Sequence, residues 1–106
     1  MPEEDIDKTP LTAATTALRT ILDPEIGLNV VDLGLVRKML WNAGTLELYY
    51  QLTSASCPVG EMIANGMRTV LEEIPGVLEV RLELIEDPPW GPHLITPEGR
   101  KVLRMD

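Results

Sequence analysis

The spacing of hydrophobic positions changes several times along the chain, and each change marks an element. Leu11, Ala14, Leu18, Ile21 and Leu22 fall on one face at helical spacing, behind a Thr9-Pro10 pair suited to an N-cap and first helical residue. Pro24 pushes Asp23 out of the helical region, so this helix is expected to stop near Leu22. Residues 23–29 read as a connecting loop, and Val30 to Gly34 lead into a strand over 35–41. Alternation in that strand is imperfect where Arg37 and Lys38 sit side by side. Asn42-Ala43-Gly44 suits a tight hairpin turn. The following strand is cleaner: Leu46, Leu48, Tyr50 and Leu52 point one way, and Glu47, Tyr49, Gln51 and Thr53 the other.

Helical spacing returns from about Pro58 to Ile74. Val59, Met62, Ile63, Met67, Val70, Leu71 and Ile74 form an apolar stripe, with Glu61, Asn65, Arg68, Glu72 and Glu73 opposite. Gly66, on or beside the stripe, points to close packing, and Pro75-Gly76 ends the helix. A third strand over 77–85 sets Leu78, Val80, Leu82 and Leu84 inward against Glu79, Arg81 and Glu83. The run from Glu86 to Pro92, with three prolines and Trp90, reads as a semi-rigid loop. Thr96-Pro97 then opens a short terminal helix.

This order predicts an α/β chain of the α+β two-layer sandwich type: helix-strand-strand-helix-strand with a short C-terminal helix, both main helices packed on one face of a three-stranded sheet. Residues 1–8 read as a flexible acidic tail and residues 9–106 as a single domain. The other sheet face, with Glu47, Tyr49, Gln51, Glu79, Arg81 and Glu83, is either solvated or a partner surface.

Charge and composition narrow the function. A net charge of −8 disfavours binding to nucleic acid and to anionic membranes. No apolar run approaches a membrane span, and the acidic N-terminus does not resemble a signal peptide, so a cytoplasmic location is expected. A lone cysteine forms no intrachain disulfide. Cys57 and His93 are the whole Cys/His inventory, which excludes a self-contained structural zinc site. A thiol hydrolase would need His93 folded back beside Cys57, and a solvent-facing loop histidine is the favoured reading, so no enzyme is expected.

The chemistry concentrates at Thr53-Ser54-Ala55-Ser56-Cys57-Pro58, between a strand and a helix. Pro58 in the first helical turn would set Cys57 at the N-cap or first position, where free N–H groups favour a thiolate. Thr53, Ser54 and Ser56 supply hydroxyls for the sulfur or for the helix end. The alternative is a small buried apolar cysteine between ordinary capping residues. Asp23, Glu25 and Asp32 either form an acidic group near Cys57 or satisfy loop N–H groups, the second reading being slightly favoured for Glu25 and Asp32. Trp90 is either a lid on the core or an anchor on a partner surface.

Four segments in order, Asp23-Pro24-Glu25, Asp32-Leu33-Gly34-Leu35-Val36, Thr53 to Pro58 and Asp87-Pro88-Pro89-Trp90, closely resemble the metal–sulfur cluster biosynthetic family that includes SufT and the PaaD subunits. The resemblance runs from about Leu18 to Leu103 and implies a minimal iron–sulfur assembly domain. It implies a cluster assembly or delivery factor whose reactive cysteine is Cys57 and whose acidic loop residue is Asp23. Its partners would be iron–sulfur assembly proteins and apo clients. PaaD-type members carry a further cysteine-rich C-terminal segment, so a dedicated phenylacetate role is not expected. One thiolate leaves most of a cluster's four-thiolate shell unfilled, so Cys57 is expected to hold iron or a cluster only transiently, in a site shared with a partner or a homodimer mate. A protein–protein adaptor with a structural Cys57 is the alternative.

Overall fold

Helix α1 spans Pro10–Leu18 and buries Ala14 and Leu18, one turn apart. In the computed structural model, which describes residues 10–53 and 59–105, α1 ends a turn before the expected stop at Leu22. Thr20 and Ile21 donate to Ala17 and Leu18 carbonyls three residues back, which tightens and closes the helix. Leu22 then bridges to Asn29 as extended chain and is exposed rather than part of the stripe.

The connection to the first strand is core, not surface loop. Leu28, Val30, Leu33 and Leu35 are all buried there. Its backbone groups pair locally: Leu33 N–H donates to the Asn29 carbonyl and Leu35 N–H to that of Val30. That satisfaction is what allows an irregular segment inside a protein. Gly34 has φ +80°, and a Cβ there would lie 2.3 Å from the Leu94 carbonyl oxygen, so only glycine fits.

Strand β1, Val36–Asn42, pairs antiparallel with β2, Thr45–Tyr50, through a two-residue Ala43–Gly44 turn with positive φ at both residues. Strand β3, Glu79–Leu84, joins the other side of β2 in parallel, giving a three-stranded sheet in the order β1-β2-β3. The crossover between β2 and β3 carries helix α2, Gly60–Glu72, whose buried residues Gly60, Ile63, Met67 and Leu71 repeat at helical spacing. Helix α2 packs against α1 and β3, and α1 against β1, as the two-layer arrangement requires. Gly66 faces Ile21, so its close approach is to the chain after α1 and not to the sheet. A 3₁₀ turn at Pro92–Leu94 and helix α3, Pro97–Leu103, complete the fold, with the Thr96 hydroxyl capping α3 by accepting from Gly99 N–H at 3.0 Å.

Three apolar positions differ from the pattern. Met62 lies exposed on α2. Leu84 is half-exposed at the end of β3, the edge strand. Leu78 is 85 % exposed because it precedes β3, donates its N–H to the Gly44 carbonyl, and lays its side chain over the hairpin glycine.

Candidate functional site

The Arg37–Lys38 irregularity is a β-bulge. Val36 pairs with Tyr50 and Lys38 with Tyr49, so β1 advances two residues while β2 advances one. Both basic residues are exposed, and the ammonium of Lys38 lies 6.0 Å from the Tyr49 ring centroid. Past the bulge β2 leaves regular pairing, and Gln51 N–H donates to the Leu35 carbonyl at 2.8 Å.

Gln51, expected on the wet face, is instead 1 % exposed. Its Oε1 accepts from Arg37 Nη1 at 2.8 Å, and its Nε2 donates to the Pro88 carbonyl. Both ends of the amide are therefore paired, as a buried amide requires. Sequence reasoning missed this residue because strict alternation assigns it to the solvent face. Nothing local to β2 signals the burial, because the covering groups, Arg37 and Pro88, come from β1 and the proline loop.

The proline loop returns across the same end of the sheet. Trp90 is half-buried, packs on the core, and donates its indole N–H to the Leu33 carbonyl at 2.7 Å. Between this loop and the C-terminal ends of β2 and β3 lies a cavity of about 80 Å³. Its apolar walls are Leu52, Leu84, Ile85, Pro89 and Trp90. Gln51, Thr53 and Glu86 supply its polar edge. The C-terminal ends of parallel strands are the usual place for ligands in sheets with helical crossovers.

Of the residues singled out from sequence, the structure brings Thr53 and Trp90 together in this cavity. Ser54, Ser56, Cys57 and Pro58 lie outside the described residues, directly after Thr53 in the chain. Val59 takes the N-cap position and α2 opens at Gly60, two residues after the start expected at Pro58.

Asp23 does not line the cavity. It is 1 % exposed, and its Oδ1 accepts from the backbone N–H groups of Glu25 at 2.8 Å and Ile26 at 3.3 Å. Its carbonyl accepts from Gly27 at 2.7 Å, so Asp23 organises a turn closed at its base by the Leu22–Asn29 bridge. Asp32 is likewise engaged. Its carboxylate accepts from Arg19 Nη1 at 2.9 Å, Asn29 Nδ2 at 2.8 Å and the Thr96 hydroxyl at 2.9 Å. Burial pushes the Asp32 carboxyl up, but the bonds from Asn29, Thr96 and Arg19 and the Arg19 charge outweigh it and hold the group below its usual range. His93 is exposed. Among the described residues, no group of three or more His, Cys, Asp or Glu side chains is placed to hold a metal ion.

On the outer sheet face Arg81 pairs with Glu79 at 3.1 Å and lies 3.9 Å from Glu47. The Tyr49 hydroxyl donates to Glu47, and the Glu47 charge pushes the Tyr49 phenol up. No helix among the described residues is long and apolar enough to cross a membrane.

Comparison with known proteins places this architecture. The family model described as iron–sulfur cluster assembly protein matches residues 11–82. An Fe-S protein maturation auxiliary factor, SufT, of Staphylococcus aureus is 38% identical over 77 residues, covering 72% of this chain and 88% of that protein. An iron-sulfur cluster carrier protein of Synechocystis is 30% identical over 77 residues, covering 73% of this chain but 22% of the carrier. The crystal structure of a domain of unknown function from Bacillus anthracis superposes with a TM-score of 0.83 at 25% identity, over 90% of this chain and 92% of that one. A match over this span, together with a relative covered nearly end to end, identifies the chain as a member of the iron–sulfur cluster assembly protein family.

Proposed function

We propose that this chain assembles or delivers iron–sulfur clusters for apo-protein maturation, without enzymatic turnover, through the thiol of Cys57. The observation that carries the reading is the family match over residues 11–82, a span that includes the chain's only cysteine. Support also comes from the relatives named as a maturation factor and a cluster carrier.

In this reading the cluster is cargo. The Cys57 thiolate donates an electron pair to iron, while assembly proteins or clients supply the remaining thiolates. At handover a client thiolate replaces Cys57 at iron, and Cys57 recovers a proton. No electrons change hands. The segment from Thr53 to Pro58 begins at the cavity, so Thr53, Trp90 and Glu86 flank the approach of a client site. Asp23 supports the site by holding the neighbouring turn rather than by ligating iron.

The test is complementation of cells lacking the chain. Activity of an iron–sulfur enzyme is read with wild type or Cys57→Ser, each checked for an unchanged circular dichroism spectrum. Wild type restores activity and Cys57→Ser does not. Full restoration by Cys57→Ser would show a structural cysteine and favour a protein–protein adaptor.

A further inference from the structure

Strand β3 is an edge, and its free side is not uniform. Glu79 N–H donates to the Gly44 carbonyl at 3.1 Å and Ile85 N–H to the Tyr50 carbonyl at 2.8 Å, so the odd-numbered residues face β2. By alternation, the backbone groups of Val80, Leu82 and Leu84 face outward. Arg68 Nη1 donates to the Val80 carbonyl at 2.9 Å and closes the first of these positions. No described residue pairs with the outward groups of Leu82 and Leu84. The open half of the edge therefore lies at the cavity end. Leu84, 39 % exposed, belongs to both the edge and the cavity wall.

Charge is arranged along the same half. Arg81 is occupied by Glu79 and Glu47. Glu83, Glu86 and Asp87 are exposed and have no ion pair or hydrogen bond with any described residue. An open edge flanked by uncompensated carboxylates selects for a cationic strand.

We propose that the Leu82–Glu86 edge is a docking site for an extended segment of a client or assembly protein in which lysine or arginine alternates with aliphatic residues. The segment adds as a fourth strand beside β3. Its main-chain groups pair with Leu82 and Leu84, its cations meet Glu83 on the outer sheet face, and an aliphatic side chain enters the cavity. The identity of the partner rests on the proposed function, whereas the binding does not depend on the thiol.

The test uses the full chain labelled with ¹⁵N and a short synthetic peptide alternating lysine and valine. The peptide is expected to slow amide exchange at Leu82 and Leu84. A glutamate–valine peptide is expected not to bind. Methylating the backbone nitrogens on one edge of the lysine–valine peptide removes its donors, and Leu84→Pro removes the outward N–H of the protein. Each is expected to weaken binding about tenfold. The methylated peptide keeps the test valid if Leu84→Pro does not fold. Cys57→Ser is expected to bind as wild type does, which separates this result from the thiol test. The proposal is overturned by equal binding of the acidic peptide, or by undiminished binding of the methylated one. It also fails if protection of the two amides rises with protein concentration alone, which would make a second copy the occupant.

Discussion

The side-chain amide of Gln51 donates to the Pro88 carbonyl and so fastens the proline loop to the end of β2. The same side chain accepts from Arg37 at the bulge, so one buried residue joins three segments around the cavity. Gln51→Leu removes both bonds, but Pro88 and Arg37 are exposed and regain water. The expected cost is about 0.5–1.5 kcal/mol in urea unfolding. Gln51→Glu keeps a partner for Arg37 but sets a carboxylate against the Pro88 carbonyl, and is expected to cost more, roughly 1–3 kcal/mol. A loss for Gln51→Glu no greater than that for Gln51→Leu would show that the carboxylate is not held against the Pro88 carbonyl.

Asp32 makes stability sensitive to acid. It ties α1, through Arg19, to the α3 cap, through Thr96, and these bonds hold its folded-state carboxyl below the usual aspartate value. A depressed folded value means that the unfolded chain binds the proton more tightly. The contribution is therefore full at neutral pH, begins to fade near the unfolded value, and is lost as pH drops through the lower folded value. Asp32→Asn is expected to destabilise the protein at pH 7 by about 1–3 kcal/mol. The difference from wild type should shrink toward acid. A gap between their urea midpoints that stays constant from neutral to strongly acidic pH would refute this account.

Two glycines separate backbone strain from crowding. Gly27 and Gly34 both have φ near +80°, yet a Cβ at Gly27 meets nothing within 4 Å while one at Gly34 strikes the Leu94 backbone. Gly27→Ala is expected to cost only the left-handed backbone penalty, roughly 1–2 kcal/mol. Gly34→Ala must also move the 3₁₀ turn or the chain before β1, and is expected to cost at least about 3 kcal/mol or to prevent folding. Thermal midpoints of the two variants provide the comparison.

The element order was legible because each strand and helix carries its own hydrophobic period. Thr96-Pro97 marked the last helix correctly, since the cap and the fixed proline φ are local properties. What was not legible depended on distant chain. Leu28, Val30 and Leu33 carry no periodic signal, and their burial follows from α1, α3 and the proline loop closing over them. Leu78 fits the strand alternation but is drawn to the hairpin turn by the Gly44 carbonyl. At the candidate site, Thr53 and Trp90 were selected for their neighbours in sequence and meet at one cavity. Gln51 was hidden because alternation gives the face a side chain takes but not what covers it: Arg37 and the proline loop close over that position.

Trp90 tests whether the cavity wall is held by shape or by its hydrogen bond. Its indole N–H donates to the Leu33 carbonyl, and Leu33 is fully buried. Trp90→Phe keeps an aromatic wall but leaves that carbonyl without its donor, at an expected cost of about 1–2 kcal/mol. Trp90→Ala also removes the ring, and is expected to cost roughly 3 kcal/mol or more. The remaining tryptophan, Trp41, lies on β1 and reports global unfolding in both variants. Local opening is read separately by amide exchange at Gln51, whose N–H bonds to Leu35 beside this wall. If Trp90→Phe is as stable as wild type and Gln51 exchange is unchanged, the ring's packing alone holds the loop and the Leu33 bond is dispensable. If exchange at Gln51 rises further than global stability falls, the hydrogen bond has a local role: it holds the proline loop against the end of β2.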